Sequence, residues 1–294
     1  LAPPESQLDI TDPAAVRQAV NACQPDVVLN CAAYNDVEKA ESDWTTAYAV
    51  NAAAVRNLAD ACTGAGALLV HYGTDYVFDG TKESFYTEAA PVNPLNNYGK
   101  SKLAGEREIG GRRSEVGGQR SEVGGQRSQR STVHAPQSTP HDSRFTIHDS
   151  RFTDRPALVL RTSWVYGPGQ QNFFHKLRQW AQKNDVLKVV WDQLSVPTYT
   201  EDIVTYTMQA LEAGLRGTYH LTNSGYASRY EVARYFFAKQ DPEKLILPVS
   251  TSVFASTVQR PYFSKMANER LSSALDVTIP AWQEAVDRFI AADR

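Results

Sequence analysis

The sequence predicts an α/β fold with a doubly wound parallel sheet and a smaller C-terminal lobe, and three observations carry that expectation. Short apolar runs that read as buried strands alternate with stretches of helical period. Several of those runs end in loops crowded with polar and aromatic residues, where active-site loops lie in an open α/β sheet. The 294 residues, 42% hydrophobic and 21% charged, suffice for a large core.

Leu8-Asp9-Ile10 reads as the tail of a strand. Thr11 or Asp12 then offers an N-cap, Pro13 suits a first turn, and Val16, Ala19 and Val20 fall at helical spacing. The apolar run Val27-Val28-Leu29 ends at Asn30-Cys31-Ala32-Ala33. Asp43 to Ala65 reads as one long helix, with Tyr48, Ala52, Val55 and Leu58 among its apolar positions and Gly64 and Gly66 near its end. Ala67 to Tyr72 is the next strand, running into Gly73-Thr74-Asp75-Tyr76-Val77-Phe78-Asp79-Gly80. Tyr98 to Glu108 has helical character, and a strand at Ala157 to Arg161 leads into Thr162-Ser163-Trp164-Val165-Tyr166-Gly167.

Residues 172–294 carry helical stretches at Phe173 to Asn184, Glu201 to Glu212, Arg229 to Lys239 and Trp282 to Ala291. Apolar strands fall between them at Val186 to Trp191, Thr218 to Leu221 and Leu245 to Val249. This half reads as a lobe closing over the carboxyl edge of the first.

Gly110 to Arg155 breaks the rhythm. Arg113 to Gln119 is repeated letter for letter at Arg120 to Gln126, and His141 to Ile147 recurs at His148 to Asp154 with one change. The segment holds 8 Arg, no Lys and 5 acidic residues, and its composition predicts a solvated, disordered insert; RNA or anion binding is the functional alternative. The spacing of His141 and His148 is inherited from the repeat, and no metal site is expected.

A net charge of -3 gives no reason to expect a nucleic-acid or anionic-membrane partner. No run reaches the length of a membrane span, and Leu1 to Gln7 does not resemble a signal peptide, so a cytoplasmic protein is expected. Cys23, Cys31 and Cys62 read as small buried hydrophobes, His71 and His220 as core or edge histidines, and Trp180, Trp191 and Trp282 as packing residues.

Tyr98 and Lys102 stand four apart at the start of a helix, so their side chains share a face. A phenol is a poor acid near neutrality, but a neighbouring ammonium favours the phenolate and brings its proton into play. Thr74, at a strand end, would hydrogen-bond the oxygen that Tyr98 protonates. The same spacing also suits an aromatic–aliphatic surface pair; the α/β context and Thr74-Asp75 favour chemistry.

Leu8-Asp9-Ile10-Thr11-Asp12, Asn30-Cys31-Ala32-Ala33-Tyr34, Val37-Glu38-Lys39-Ala40-Glu41, Val50-Asn51, Thr74 to Gly80, Tyr98 to Glu106 and Arg161 to Gly167 together resemble the dTDP-4-dehydrorhamnose reductase family of the extended short-chain dehydrogenase/reductase superfamily. The resemblance implies a Rossmann-type domain over 1–109 and 156–171 and a mainly substrate-binding lobe over 172–294, some of whose elements return to the first. It implies reduction of the C4 ketone of dTDP-4-dehydro-6-deoxy-L-mannose by NADPH or NADH, giving dTDP-L-rhamnose, by a monomer or homodimer. Tyr98 would be the acid, Lys102 would hold the nicotinamide ribose and lower the Tyr98 pKa, and Thr74 would orient the carbonyl. Asp75, Trp164 and Arg260 would meet the substrate. Asp9, Ile10, Ala32, Ala33, Tyr34, Asn35 and Asn51 would border the cofactor.

The family's first strand and Gly-x-x-Gly-x-x-Gly turn have no counterpart in this sequence, which predicts a fragment of a longer protein or a decayed copy. A nucleotide-sugar epimerase or dehydratase is the competing enzyme, although a dehydratase wants an acidic pair beside the threonine and only Asp75 is present. A non-catalytic homologue is the third reading. Loop closure entropy grows slowly with length. Replacing 110–155 by a short linker is therefore expected to leave reductase activity unchanged, checked by comparing turnover of the two forms.

Overall fold

The computed structural model describes residues 7–110, 156–169, 172–254 and 258–292, together with Pro3 and Ser256. The expected insert, with its repeats and histidines, lies outside the described residues except for Gly110.

Asp12 caps the first helix, accepting from the backbone N–H groups of Ala14 and Ala15, and α1 (Pro13–Cys23) turns Val16 and Val20 inward. The strand expected at Leu8-Asp9-Ile10 is instead a turn, in which the Asp9 carboxylate accepts from the N–H and hydroxyl of Thr11. An extended segment without a neighbouring strand leaves its backbone groups unpaired, whereas the aspartate turn satisfies them locally.

After β1 (Val27–Asn30) come α2 (Lys39–Ser42), α3 (Trp44–Tyr48) and α4 (Ala54–Ala65). The single helix expected over 43–65 is thus broken, with a π-helical turn at Ala49–Ala53 between α3 and α4. β2 (Leu68–Thr74) and α5 (Asn97–Ile109) follow, and α5 supplies the reason for the break. A Cβ on its Gly105 would lie 2.1 Å from the carbonyl oxygen of Asn51 in the π turn, so the two backbones touch where only glycine fits.

β3 (Ala157–Thr162) pairs with β2, placing Thr74 beside Thr162. The C-terminal half contains β4 (Val165–Tyr166), α6 (Phe173–Lys183), β5 (Val186–Val190), β6 (Leu194–Ser195), β7 (Thr198–Tyr199) and α7 (Thr200–Glu212). It continues through β8 (Gly217–His220), β9 (Ala227–Ser228), α8 (Arg229–Gln240), β10 (Leu245–Val249), α9 (Glu269–Leu275) and α10 (Trp282–Ala292). The main sheet runs β1-β2-β3-β8, all parallel, and its strands alternate their side chains between two layers. Leu69, Ala157 and Val159 face α1, α4 and Ile109 of α5, while Leu68, Val70, Leu158 and Leu160 face Ile203, Tyr206 and Ala210 of α7 and Leu271 of α9. A separate aromatic core, including Tyr166, Phe174, Tyr199, Phe236 and Phe289, holds the C-terminal lobe around the parallel pair β5 and β10.

Cys62 is buried as expected, but Cys23, the last residue of α1, and Cys31, just beyond β1, are exposed. Trp282 is core, whereas Trp180 (44% exposed) and Trp191 (52%) lie at the surface of the C-terminal lobe. Among the described residues no helix is long and apolar enough to cross a membrane.

Overpacking a tight contact typically costs about 1–3 kcal/mol. Gly105→Ala is expected to lose stability in that range in chemical denaturation, because the new methyl meets backbone and not a movable side chain.

Candidate active site

Three elements converge at the carboxyl ends of β1 and β2: the loop after β1, the turn after β2, and the first turns of α5. Asn96 caps α5 by accepting from the N–H of Gly99, and its amide donates to the Gln259 carbonyl at 2.9 Å. Glu41 accepts from the N–H of Asn97 at 2.7 Å. Gly99 lets α5 sit against the turn after β2, since a Cβ there would lie 2.3 Å from the Tyr76 carbonyl oxygen. This seating brings Tyr98 and Lys102 to the end of β2.

The Tyr98 hydroxyl lies in reach of the Thr74 hydroxyl, which favours its ionised form, and its ring meets Tyr76 edge-on at 5.5 Å. Burial pushes the Tyr98 phenol well above its ordinary value; the Thr74 hydroxyl works against this shift, and the nearby Asp75 charge adds to it. Lys102 is 4% exposed, and its ammonium donates to the Tyr72 carbonyl at 2.7 Å. Burial lowers Lys102 to about 8 against the raising effect of Glu106, one turn further along α5. The expected depression of the Tyr98 pKa by Lys102 is therefore corrected: desolvation governs both groups, and the ammonium is directed at a backbone carbonyl. Beneath them Glu106 accepts from Arg161 at 2.7 Å in a buried ion pair.

Asp75 is 2% exposed, and its carboxylate accepts hydroxyl hydrogen bonds from Ser264 (2.6 Å), Ser195 (2.9 Å) and Thr74 (3.3 Å). Burial raises its pKa while these donors hold it down. The group thus ties Thr74 to β6 and to the segment before α9.

Asn51, also buried, ties the loop after β1 to α5. Its side chain accepts from the N–H of Tyr34 and donates to the Tyr34 carbonyl and the Ser101 hydroxyl. Ala32 and Asn35 are exposed on that loop, with Ala33 and Tyr34 half-buried. Asp9 and Ile10 lie apart from this hydrogen-bonded cluster; the Ile10 carbonyl accepts from Asn57 of α4. Trp164 and Arg260 join the site through residues that sequence reasoning missed. The charges of Arg260 and Arg229 both act on the Tyr76 phenol, and the Arg229 guanidinium lies 4.2 Å from the Trp164 ring centroid. Arg260 is also paired with Glu38 at 2.5 Å.

The crevice suits the nicotinamide end of a dinucleotide. An ammonium has three donors, and among the described residues Lys102 directs one to Tyr72, leaving donors for ribose hydroxyls. The small side chains of Ala32 and Ala33 permit close approach to the backbone beyond β1. No cluster of His, Cys, Asp and Glu suited to a metal occurs among the described residues.

The family model described as RmlD substrate binding domain matches residues 1–116 and 151–294, on either side of the repeats. The chain is 31% identical to a dTDP-4-dehydrorhamnose reductase of Sinorhizobium fredii, covering 97% of this chain and 86% of that protein. It is 33% identical to the dTDP-4-dehydrorhamnose reductase of Mycobacterium tuberculosis, covering 99% and 84%. The crystal structure of a dTDP-4-dehydrorhamnose reductase from Bacillus anthracis in complex with NADP superposes with a TM-score of 0.80 at 30% identity, covering 98% of this chain and 88% of that one.

Leaving a buried polar group unsatisfied costs about 1–3 kcal/mol. Asp75→Asn, which sets an amide N–H2 among three hydroxyls, is expected to lower stability by that amount in urea titration.

Proposed function

From the premise that the chain belongs to the RmlD substrate binding domain family, whose matching curated relatives include dTDP-4-dehydrorhamnose reductases, we propose that it reduces the C4 ketone of dTDP-4-dehydro-6-deoxy-L-mannose to dTDP-L-rhamnose with NADPH or NADH. The observation that carries this reading is the meeting of Tyr98, Thr74 and the buried Lys102, whose ammonium donates to the Tyr72 carbonyl, at the carboxyl end of β2.

The nicotinamide supplies the hydride. Tyr98 supplies the proton: its raised pKa keeps the phenol as O–H through neutral pH, the form that can donate to a carbonyl oxygen gaining negative charge. Thr74 orients that oxygen, and Asp75 fixes Thr74 from behind. Lys102, charged below about pH 8, holds the ribose hydroxyls and adds a positive charge near the developing alkoxide. Asn51 holds the Ala32–Asn35 loop, with Tyr34, against the cofactor, and Asp9 and Ile10 border its adenine end. Trp164 walls the sugar site, and Arg260 stands at its outer edge near the diphosphate. The same reading has the enzyme working in the cytoplasm as a monomer or homodimer.

General acid catalysis contributes roughly 10²- to 10⁴-fold. Tyr98→Phe is expected to lower kcat in that range in NADPH-oxidation assays with the keto sugar, with KM little changed; undiminished turnover would overturn the reading. Because burial lowers Lys102, its charged form is the one lost as pH rises. The rate of reduction is expected to fall through an inflection near pH 8, absent from the profile of Lys102→Met.

A further inference from the structure

His71 is a buried titratable group that the chemistry above leaves unused. It lies in β2, 1% exposed, and by the alternation of the strand it shares the face of Leu69, toward α4 and α5. The register sets Asn30, the last residue of β1, directly beside it, and the Asn30 amide nitrogen lies 3.0 Å from the imidazole Nδ1. Asn30 is buried too, and its side-chain oxygen accepts from the N–H of Ala32 at 3.2 Å.

These two contacts settle where each hydrogen lies. A backbone N–H can only donate, so the oxygen of Asn30 is the atom that faces Ala32 and its NH2 is the group that faces His71. Nδ1 therefore accepts, and the single proton of the neutral ring sits on Nε2. Burial and, to a smaller extent, the Lys102 charge hold the imidazole well below its ordinary pKa, which keeps it in that neutral form. A protonated ring would turn Nδ1 from acceptor to donor and break the contact.

As packing the arrangement is poor. Nε2 is buried and has no hydrogen-bond partner among the described residues, which leaves an N–H unpaired. Val159, the register neighbour of His71 in β3, fills the same layer with aliphatic carbon alone. What the imidazole supplies, and an aliphatic side chain could not, is an acceptor for Asn30.

The Ala32–Asn35 loop is thus held at two points: Ala32 from the sheet through Asn30 and His71, and Tyr34 from the π turn through Asn51. Both anchors run to elements that hold Lys102, which belongs to α5 and donates to the carbonyl of Tyr72, next to His71. We infer that His71 is a positioning residue for the dinucleotide: by accepting from Asn30 it fixes the Ala32 N–H, and with it the shape of the loop along which the cofactor lies. The inference rests on the dinucleotide reading above. His71 acts through Asn30, so its removal falls on cofactor affinity and not on proton donation by Tyr98.

The test is titration of NADPH, followed by its own fluorescence, into the protein and into His71→Asn and His71→Leu, with the stability of each measured in urea. The side-chain oxygen of asparagine stands as many bonds from Cα as Nδ1 does and can accept in its place; leucine fills the apolar layer better and offers no acceptor. His71→Leu is expected to be the more stable variant and the weaker binder, with NADPH affinity down about 3- to 10-fold, while His71→Asn stays within about twofold of wild type. A merely structural histidine gives affinities that follow stability or fall equally in both variants. Either result would overturn the inference, as would equal NADPH affinity in wild type and His71→Leu, and each leaves the reductase reading standing. A wild type that binds no NADPH would overturn both. Should His71→Leu fail to fold, His71→Val, β-branched and equally without an acceptor, decides: affinity below that of His71→Asn supports the inference, and affinity equal to it overturns it.

Discussion

The Asp75 carboxylate, shut away from water and accepting from Thr74, Ser195 and Ser264, is the interaction through which the two lobes and the chemistry are joined. A carboxylate so placed is tolerable only because every donor is in position. Its three partners come from the end of a sheet strand, a two-residue strand of the C-terminal lobe and the segment before α9. Satisfying one charge therefore fixes three backbones, and through Thr74 it also fixes the oxygen that Tyr98 meets.

How much of this was legible in the sequence depended on whether the cause was local. The Asp12 cap, Pro13 and the spacing of Val16 and Val20 lie within one helix, and α1 forms where they place it. Thr74, Tyr98 and Lys102 sit in contiguous motifs, and they meet in the structure. Ser195, Ser264 and Arg229 carry no such signal: each is a single residue whose importance comes from a neighbour distant in the chain. The π turn at Ala49–Ala53 is of the same kind, forced by a glycine on another helix. Leu8-Asp9-Ile10 shows the converse, since apolar residues make a strand only when another strand is there to pair.

The electrostatics of the site follow burial more than proximity. A lysine one helical turn from a tyrosine suggests a lowered phenol, yet here the ammonium faces a carbonyl and desolvation raises the phenol while lowering the lysine. Both shifts favour neutral forms. They leave the tyrosine as a proton donor and place the lysine close to its titration point, a combination better suited to giving a proton than to taking one.

The path of the chain between β5 and β10 bears on how the protein assembles. These strands pair in parallel, yet between them the chain returns to the main sheet to lay down β8 against β3. Neither lobe can be completed before the chain has visited the other. Contacts of such long sequence separation bring no reward until large loops have closed, which slows folding and keeps partly built sheets exposed. The two lobes therefore cannot be separated by cutting the chain once.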